Sequence, residues 1–327
     1  MNSDDKMRPF YLAKILYDQT DEDHFLTTKQ LIDALAEQNC ISTYRATIES
    51  DIELLIKVGM DIEKIKSTQN KYHLVSRDFD IPELKLLIDA VESSKFITKA
   101  KSEALVAKLG TLAGKNKANE LRRNLAVDGR IKSDNERIYI IVDAINDAIN
   151  AGKKISFQTV EYNAKKEKIL HNEGEVYIFS PFSLVWDGDN YYVVGYSDKH
   201  QEVGCHRVDR IFRQPVILED NIVPAPKGFD INDYINSMFR MYNSPRRDVE
   251  LICDNSVIDG IIDKFGSDIQ IYENDTTSFR VVANIAVSHI FYSWVFGFDG
   301  KVKIKAPEDV KNTYFAMVKK ASEQLLC

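Results

Sequence analysis

The chain has 327 residues, 44% hydrophobic and 28% charged, an ordinary globular composition with room for two or three domains. No stretch approaches the roughly 18–20 apolar residues of a membrane span, and the opening MNSDDKMRPF lacks an apolar signal core, so a cytoplasmic protein without a membrane partner is expected. A formal net charge of −7 excludes a wholly basic coat for indiscriminate nucleic-acid binding. Four scattered cysteines (Cys40, Cys205, Cys253, Cys327), without paired spacing or a nearby His cluster, predict free thiols rather than a zinc site or a disulfide framework.

The first segment reads as helix. In RPFYLAKILYD, residues Phe10, Ala13, Ile15, Leu16 and Tyr17 make a rough apolar stripe, with Pro9 tolerated in a first turn. Thr27 to Gln30 has the form of a capping box and opens a second helix with Leu31, Ile32 and Leu35 buried, ending near Asn39. Ser42 is a suitable N-cap for a third helix, TYRATIESDIELLIKVG, which stops at Gly59. Support helix, helix, short turn, helix is the helix-turn-helix arrangement, and MDIEKIKSTQNKYHLV adds a hairpin wing.

In the third helix Ile48, Ile52 and Leu55 share the buried side, with Tyr44 near it and Arg45 on its flank. The outward face presents Thr43, Ala46, Thr47 and Ser50. Hydroxyls there can reach base edges or phosphates in a major groove, and the alanine methyl can touch thymine; a merely solvated polar face is the competing reading. Residues 1–80 hold ten Lys and Arg against fifteen Asp and Glu, so attraction to DNA must come from asymmetry. Lys64, Lys66 and Lys71 gather on the expected wing, where contacts to phosphates of double-stranded DNA would be salt-sensitive.

From about Asp80 to Leu125 short helices follow: IPELKLLIDAVESSKFI with Leu84, Leu87, Ile88 and Val91 in its stripe, then KSEALVAKLGTLAG and KANELRRNLAV. They are expected to form a connector or dimerisation layer. One more amphipathic helix ends at Gly152. Residues 154–218 then change to strand texture, KISFQTVEY, VYIFSPFSLVWDG, NYYVVGY and GCHRVDRIF, with Asp187 to Asn190 a turn, which suggests a small barrel. After a linker containing Pro224 and Pro226, the pattern β-α-β-β-α-β plus a terminal helix is ferredoxin-like. Trp294, Phe291, Phe296 and Phe298 are expected as core between helix and sheet.

The series SPFSLVWDG, Tyr191-Tyr192-Val193 inside NYYVVGY, and HRVDRI resembles the WYL-domain transcriptional regulators, whose naming tripeptide Trp-Tyr-Leu is replaced here by Tyr-Tyr-Val. The first segment looks like the winged helix-turn-helix of the DeoR type, and the stretch around SHIFYSWVFGF and KVKIKAPEDV looks like the family's C-terminal extension. The resemblance implies a multidomain α+β protein. Residues 1–76 would be the winged helix-turn-helix, 77–135 a helical connector and dimerisation region, 136–220 an Sm-like or SH3-like WYL barrel, and 245–327 a ferredoxin-like extension. It further implies a homodimeric DNA-binding regulator whose barrel senses a ligand, proposed for several members to be a nucleotide or nucleic acid. In the DeoR-type core Thr-Ile-x-x-Asp-Ile, arginines often precede the Thr and the Asp; here Ala46 and Ser50 stand there, which implies fewer arginine contacts to DNA.

The basic end of the hairpin carries His206, Arg207 and Arg210. Strand alternation would point His206, Val208 and Arg210 one way and Cys205, Arg207 and Asp209 the other, unless a bulge or the strand end rotates one of them. One reading is an anion pocket for a nucleotide or single-stranded nucleic acid, with Arg207 and Arg210 gripping phosphate, Tyr162, Tyr192 or Tyr196 stacking on a base and Ser180 adding a hydroxyl. The other pairs Arg207 with Asp209 or a neighbouring carboxylate. A second functional class stays open, an accessory nucleotide- or nucleic-acid-binding protein whose helix-turn-helix serves docking or dimerisation. No nucleophile elbow, Gly-rich phosphate loop or metal-ligand spacing occurs, so neither an enzyme nor a cofactor is expected.

Overall fold

A computed structural model describes residues 3–123, 132–133 and 135–324; the expected helix over 124–127 and the thiol of Cys327 fall outside them. The chain is mixed α+β and divides into two units, Met1–Asp134 and Asn135–Cys327.

In the first unit α1 (Ser3–Gln19), β1 (Leu26–Thr27), α2 (Thr28–Asn39), α3 (Arg45–Lys57), β2 (Ile62–Ile65) and β3 (Lys71–Leu74) share one core. Leu12 and Leu16 of α1 meet Leu31 and Leu35 of α2 and Ile48, Ile52 and Leu55 of α3 there. The α1 stripe is therefore Leu12, Ile15 and Leu16, with Ala13 and Tyr17 partly buried against the same core. Phe10 points to solvent, and Pro9 lies well inside the helix rather than in its first turn. At the start of α2, the Gln30 N–H donates to Thr27 Oγ1 at 3.2 Å while the Thr27 N–H donates to Gln30 Oε1 at 2.8 Å, so the capping box is closed. Cys40 ends α2 in a left-handed conformation with φ 56°. The strands form an antiparallel sheet in the order β1-β3-β2.

The same unit continues with α4 (Ile81–Ser93), α5 (Lys99–Leu112) and α6 (Gly114–Arg123). Leu84 and Ile88 of α4 are buried with Val106, Ala113 and Leu121, whereas Leu87, expected in that stripe, is exposed because the helix turns it past the shared face. Arg77 ties these helices to the first core. Its Nη2 donates to the Tyr17 and Thr20 carbonyls at 2.6 and 2.9 Å, its Nη1 to Leu112 O at 3.3 Å, and the guanidinium lies 4.4 Å from the Tyr17 ring centre.

The second unit opens with α7 (Ile138–Ala151), whose Ile138, Ile141, Ala144, Ile145 and Ala148 are buried. Seven strands follow: β4 (Lys153–Phe157), β5 (Val160–Tyr162), β6 (Lys168–Leu170), β7 (Tyr177–Asp187), β8 (Asn190–Ser197), β9 (Glu202–Arg207) and, after a 3-10 turn over Val208–Arg210, β10 (Val216–Asn221). Five of them pair antiparallel in the order β10-β4-β7-β8-β9, and β5 with β6 forms a separate hairpin. The two outermost strands of the five are neighbours in sequence. The 3-10 turn joins them, a Thr159–Ile211 bridge and a 2.9 Å bond from the Phe212 N–H to Gln158 O hold the join, and the sheet therefore curls round on itself.

The stretch read as linker contains α8 (Ile231–Asn236). Its Tyr234, with Met238 and Met241 beyond it, packs on Val185, Tyr192 and Val194 of the curled sheet and on Ala286. The chain then runs through β11 (Arg246–Asp254), α9 (Ile258–Phe265), β12 (Ile271–Asp275), β13 (Ser278–Ala286), α10 (His289–Phe296), β14 (Val302–Ala306) and α11 (Glu308–Gln324). The four strands are antiparallel in the order β12-β13-β11-β14, over a core that takes Phe291 fully and Trp294 and Phe298 partly. Phe296, expected in that core, is exposed at the end of α10.

Candidate functional site

In the first unit the outward face of α3 is open. Arg45, Ala46 and Ser50 are exposed and Thr47 is half-buried, while Ile48, Ile52 and Leu55 hold the opposite face in the core. Thr43 does not belong to this face. The helix starts at Arg45, with Tyr44 as an extended N-cap at φ −123° and ψ 163°, so the alternation of extended backbone turns Thr43 inward and Tyr44 outward. Thr43 is buried, and Tyr44, expected near the core, is 78% exposed. Ser42 is accordingly not the cap.

Glu49 organises the basic groups around this face. Its carboxylate lies 3.4 Å from Arg45 Nε and 3.8 Å from Lys64 Nζ and accepts from Asn70 Nδ2 at 3.0 Å. Desolvation works against its charge, but Lys64, Arg45 and Asn70 outweigh it and hold the carboxyl below the usual range. Arg45, and Lys64 among the expected phosphate contacts, thus already carry a counter-ion. Lys66, just past the end of β2, and Lys71, the first residue of β3, stand exposed. Glu49 was missed in the sequence, although its position four residues after Arg45 is the helical ion-pair spacing.

In the second unit β9 ends at Arg207, and the 3-10 turn that follows breaks strand alternation. His206 and Arg210, expected on one face, are separated. The His206 ring sits among Phe157, Tyr177 and Phe179, each with its ring centre 5.1 to 5.2 Å away. Burial pushes its pKa down to about 4, with His200 and His171 adding to the shift, so the imidazole is neutral at pH 7 and packs as an aromatic side chain. It is not part of a cationic site.

Arg207 and Arg210 meet instead at Asp209. Arg207 donates to both carboxylate oxygens, Nε to Oδ1 at 3.0 Å and Nη2 to Oδ2 at 2.7 Å, and Arg210 Nε lies 3.9 Å from Oδ2. Arg210 also lies under the Tyr162 ring of the β5–β6 hairpin, 4.9 Å from its centre, and Lys168 Nζ is 5.8 Å from the same ring. Tyr162 is exposed. The turn therefore gathers two guanidinium groups, one carboxylate and one aromatic face.

Two expected members are elsewhere. Ser180 is fully buried, and its Oγ accepts from the Val223 N–H at 3.0 Å, which fixes the chain leaving β10. Tyr192 lies across from Arg207 in the β8–β9 pairing but turns its ring into the cluster with Tyr234 and Met238, where burial raises its pKa. Strand alternation sends Val193 to the opposite face. Neither Ser180 nor Tyr192 is open to a ligand.

Residues 141–215 match the model of the WYL domain. That span holds Tyr191-Tyr192-Val193, the β5–β6 hairpin and the Arg207–Arg210 turn. No curated protein matches the chain. Among solved structures, proteasome accessory factor B/C (PafBC) of Arthrobacter aurescens aligns at 14% identity and a TM-score of 0.30, over 95% of this chain and 45% of that one. The chain thus spans less than half the length of that protein. A CRISPR Cas-related protein aligns at 12% identity and a TM-score of 0.38, over 75% of this chain and 81% of the other.

Proposed function

We propose that the chain is a DNA-binding transcriptional regulator with an effector-binding WYL domain. On this reading α1 to α3 with the β1-β3-β2 sheet are a winged helix-turn-helix, residues 77–135 connect and dimerise, the curled sheet is an Sm-like barrel, and the last four-stranded unit is a ferredoxin-like extension. Arg45, Ala46, Thr47 and Ser50 face the major groove, Lys64, Lys66 and Lys71 the phosphates, and a homodimer reads two half-sites of double-stranded DNA. The effector is anionic, a nucleotide or single-stranded nucleic acid, held by Arg207 and Arg210 with a base on Tyr162.

The observation that carries the reading is α3 itself. It is anchored by Ile48, Ile52 and Leu55 while the residues at its amino-terminal end keep small, polar and basic groups outside. Mobility-shift assays with duplexes from the region upstream of its own coding sequence test the reading. A sequence-dependent complex at low salt that Thr47→Ala weakens is the expected result; no such complex, or one indifferent to Thr47→Ala, removes the DNA-reading assignment. Anisotropy with labelled single-stranded oligonucleotides tests the effector site, where Arg207→Ala and Arg210→Ala should each weaken binding.

A further inference from the structure

β14 is an edge strand: among the described residues it pairs with β11 alone. A groove of about 820 Å³ runs along it, walled by Phe296 at the end of α10 and by Phe315 and Val318 of α11, with Val302, Lys303 and Ile304 of β14 as its floor. Consecutive strand residues point to opposite faces, so a groove that touches all three opens on the backbone edge rather than on one face of the sheet. Val302 and Ile304 are buried on the helix side, yet Phe296 and Phe315 above them are 60% and 68% exposed. On the other side Lys303 and Lys305 are exposed. There Glu250 answers both Arg280, at 3.1 Å, and Lys305, at 3.4 Å, so one carboxylate stands beside three cations. Glu308 and Lys311 of the α11 wall pair with each other at 3.4 Å and cancel, and Asp299 lies past the Val302 end. The edge is therefore apolar toward the helices and positive toward the open face.

We propose that this edge docks an extended segment of a partner protein by strand addition, and that acidic and apolar residues alternate in that segment. Residues directly opposite one another in a ladder share a face. Acids of the added strand therefore lie across from Lys303 and Lys305, while the apolar residues between them enter the groove between Phe296 and Phe315. Main-chain hydrogen bonds to the open edge of β14 hold the segment, and the groove and the lysines select it. A second copy adding its own β14 here would set Lys303 and Lys305 against the same two lysines, a like-charge pairing that destabilises a ladder and that edge lysines commonly serve to prevent. The complementary charge pattern therefore belongs to another protein. The site is independent of the Arg207–Arg210 turn and of the outer face of α3.

The full chain is titrated by fluorescence anisotropy with labelled, end-capped peptides. The parent probe is Glu-Leu-Glu-Val-Glu-Leu-Glu. Its controls are the same pattern with Lys for Glu, the same composition with all acids in one block, and two versions N-methylated on alternate residues, one for each backbone edge. The parent should bind the wild type at least about ten-fold tighter than the lysine and block-acid peptides. One N-methylated version should bind as the parent does and the other at least about ten-fold more weakly, because only one edge of an added strand faces β14. Lys303→Glu should weaken the parent at least about five-fold and strengthen the lysine peptide, and Phe315→Ser should weaken the parent by a similar factor. Both side chains are exposed, so neither change opens a cavity in the core. No binding of the parent, equal binding of the block-acid peptide, both N-methylated versions bound like the parent, or a preference that survives Lys303→Glu overturns the proposal. So does a concentration-dependent rise in sedimentation mass that Phe315→Ser abolishes while no peptide binds, which would assign the groove to the β12 edge of a second copy.

Discussion

Arg8 of α1 reaches Asp51 on the buried side of α3, Nε to Oδ2 at 2.6 Å, with both side chains about nine-tenths out of solvent at 12% and 10% exposure. The acid of the Thr-Ile-x-x-Asp-Ile stretch thus braces the helix from behind and takes no part in its outer face. Removing one member of a buried pair leaves the other charge stranded, which costs about 3–5 kcal/mol, whereas replacing both by apolar groups of similar volume is close to neutral. Asp51→Ala should lower the stability of the first unit by that amount in urea unfolding. Arg8→Met with Asp51→Leu should recover most of it, and equal losses in the single and double variants would show that the pair itself matters little.

Glu49 bears on DNA affinity with the opposite sign. Its carboxylate neutralises Arg45 and Lys64 on the face proposed to meet DNA. Glu49→Gln should release both, tighten duplex binding, and steepen the dependence of log affinity on log salt by roughly 1 to 2, because each new phosphate contact adds about 0.9 to the slope. Binding and slope unchanged from the wild type would place Arg45 and Lys64 away from the phosphates.

Much of this was legible in the sequence, and the misses have more than one cause. The α2 capping box, the apolar side of α3 and the β7–β8 turn at Asp187 to Asn190 follow from local rules of period and cap. Two of the errors fall where an element ends. Thr43 and Tyr44 exchange places because α3 starts at Arg45, and His206 and Arg210 part company because β9 stops at Arg207 and a 3-10 turn takes over. Ser180 and Tyr192 were misassigned for a different reason: their surroundings come from residues distant in the chain, Val223 for one and Tyr234 and Met238 for the other. A short-range pattern holds no record of such contacts.

His206 gives the second unit an acid-sensitive contribution to stability. Its pKa falls from 6.5 to about 4 on folding because the ring is buried against Phe157, Tyr177 and Phe179, with His200 and His171 adding to the shift. Between those values the unfolded chain holds a proton that the folded chain does not, so stability is fully present above about pH 6.5 and declines as pH falls toward 4. The loss amounts to about 2–3 kcal/mol, at ~1.4 kcal/mol per pH unit. His206→Phe keeps an aromatic ring in the cage without a titrating group. Unfolding free energies of the two proteins, compared from pH 7.5 to 4, should shift in favour of the variant by about that amount, and a constant difference would show that His206 does not titrate in this window.

Gly195, the last residue but one of NYYVVGY, is fixed by a close approach of strands. A Cβ added there would lie 2.2 Å from the Ser180 carbonyl oxygen, 2.6 Å from Phe179 Cε1 and 2.9 Å from Pro181 Cα. The obstruction includes backbone of β7, which pairs with β4 on one side and β8 on the other and cannot withdraw without breaking a ladder. Gly204, paired with Gly195 in the next strand, is a matched control, since a Cβ there meets only Asn243 Nδ2 at 3.5 Å, an ordinary contact. Gly195→Ala should cost at least about 3 kcal/mol or prevent folding of the second unit, and Gly204→Ala less than about 1 kcal/mol. Near-equal melting temperatures for the two variants would mean that the strands separate easily at this point, and that the glycine answers to something other than the β7 backbone.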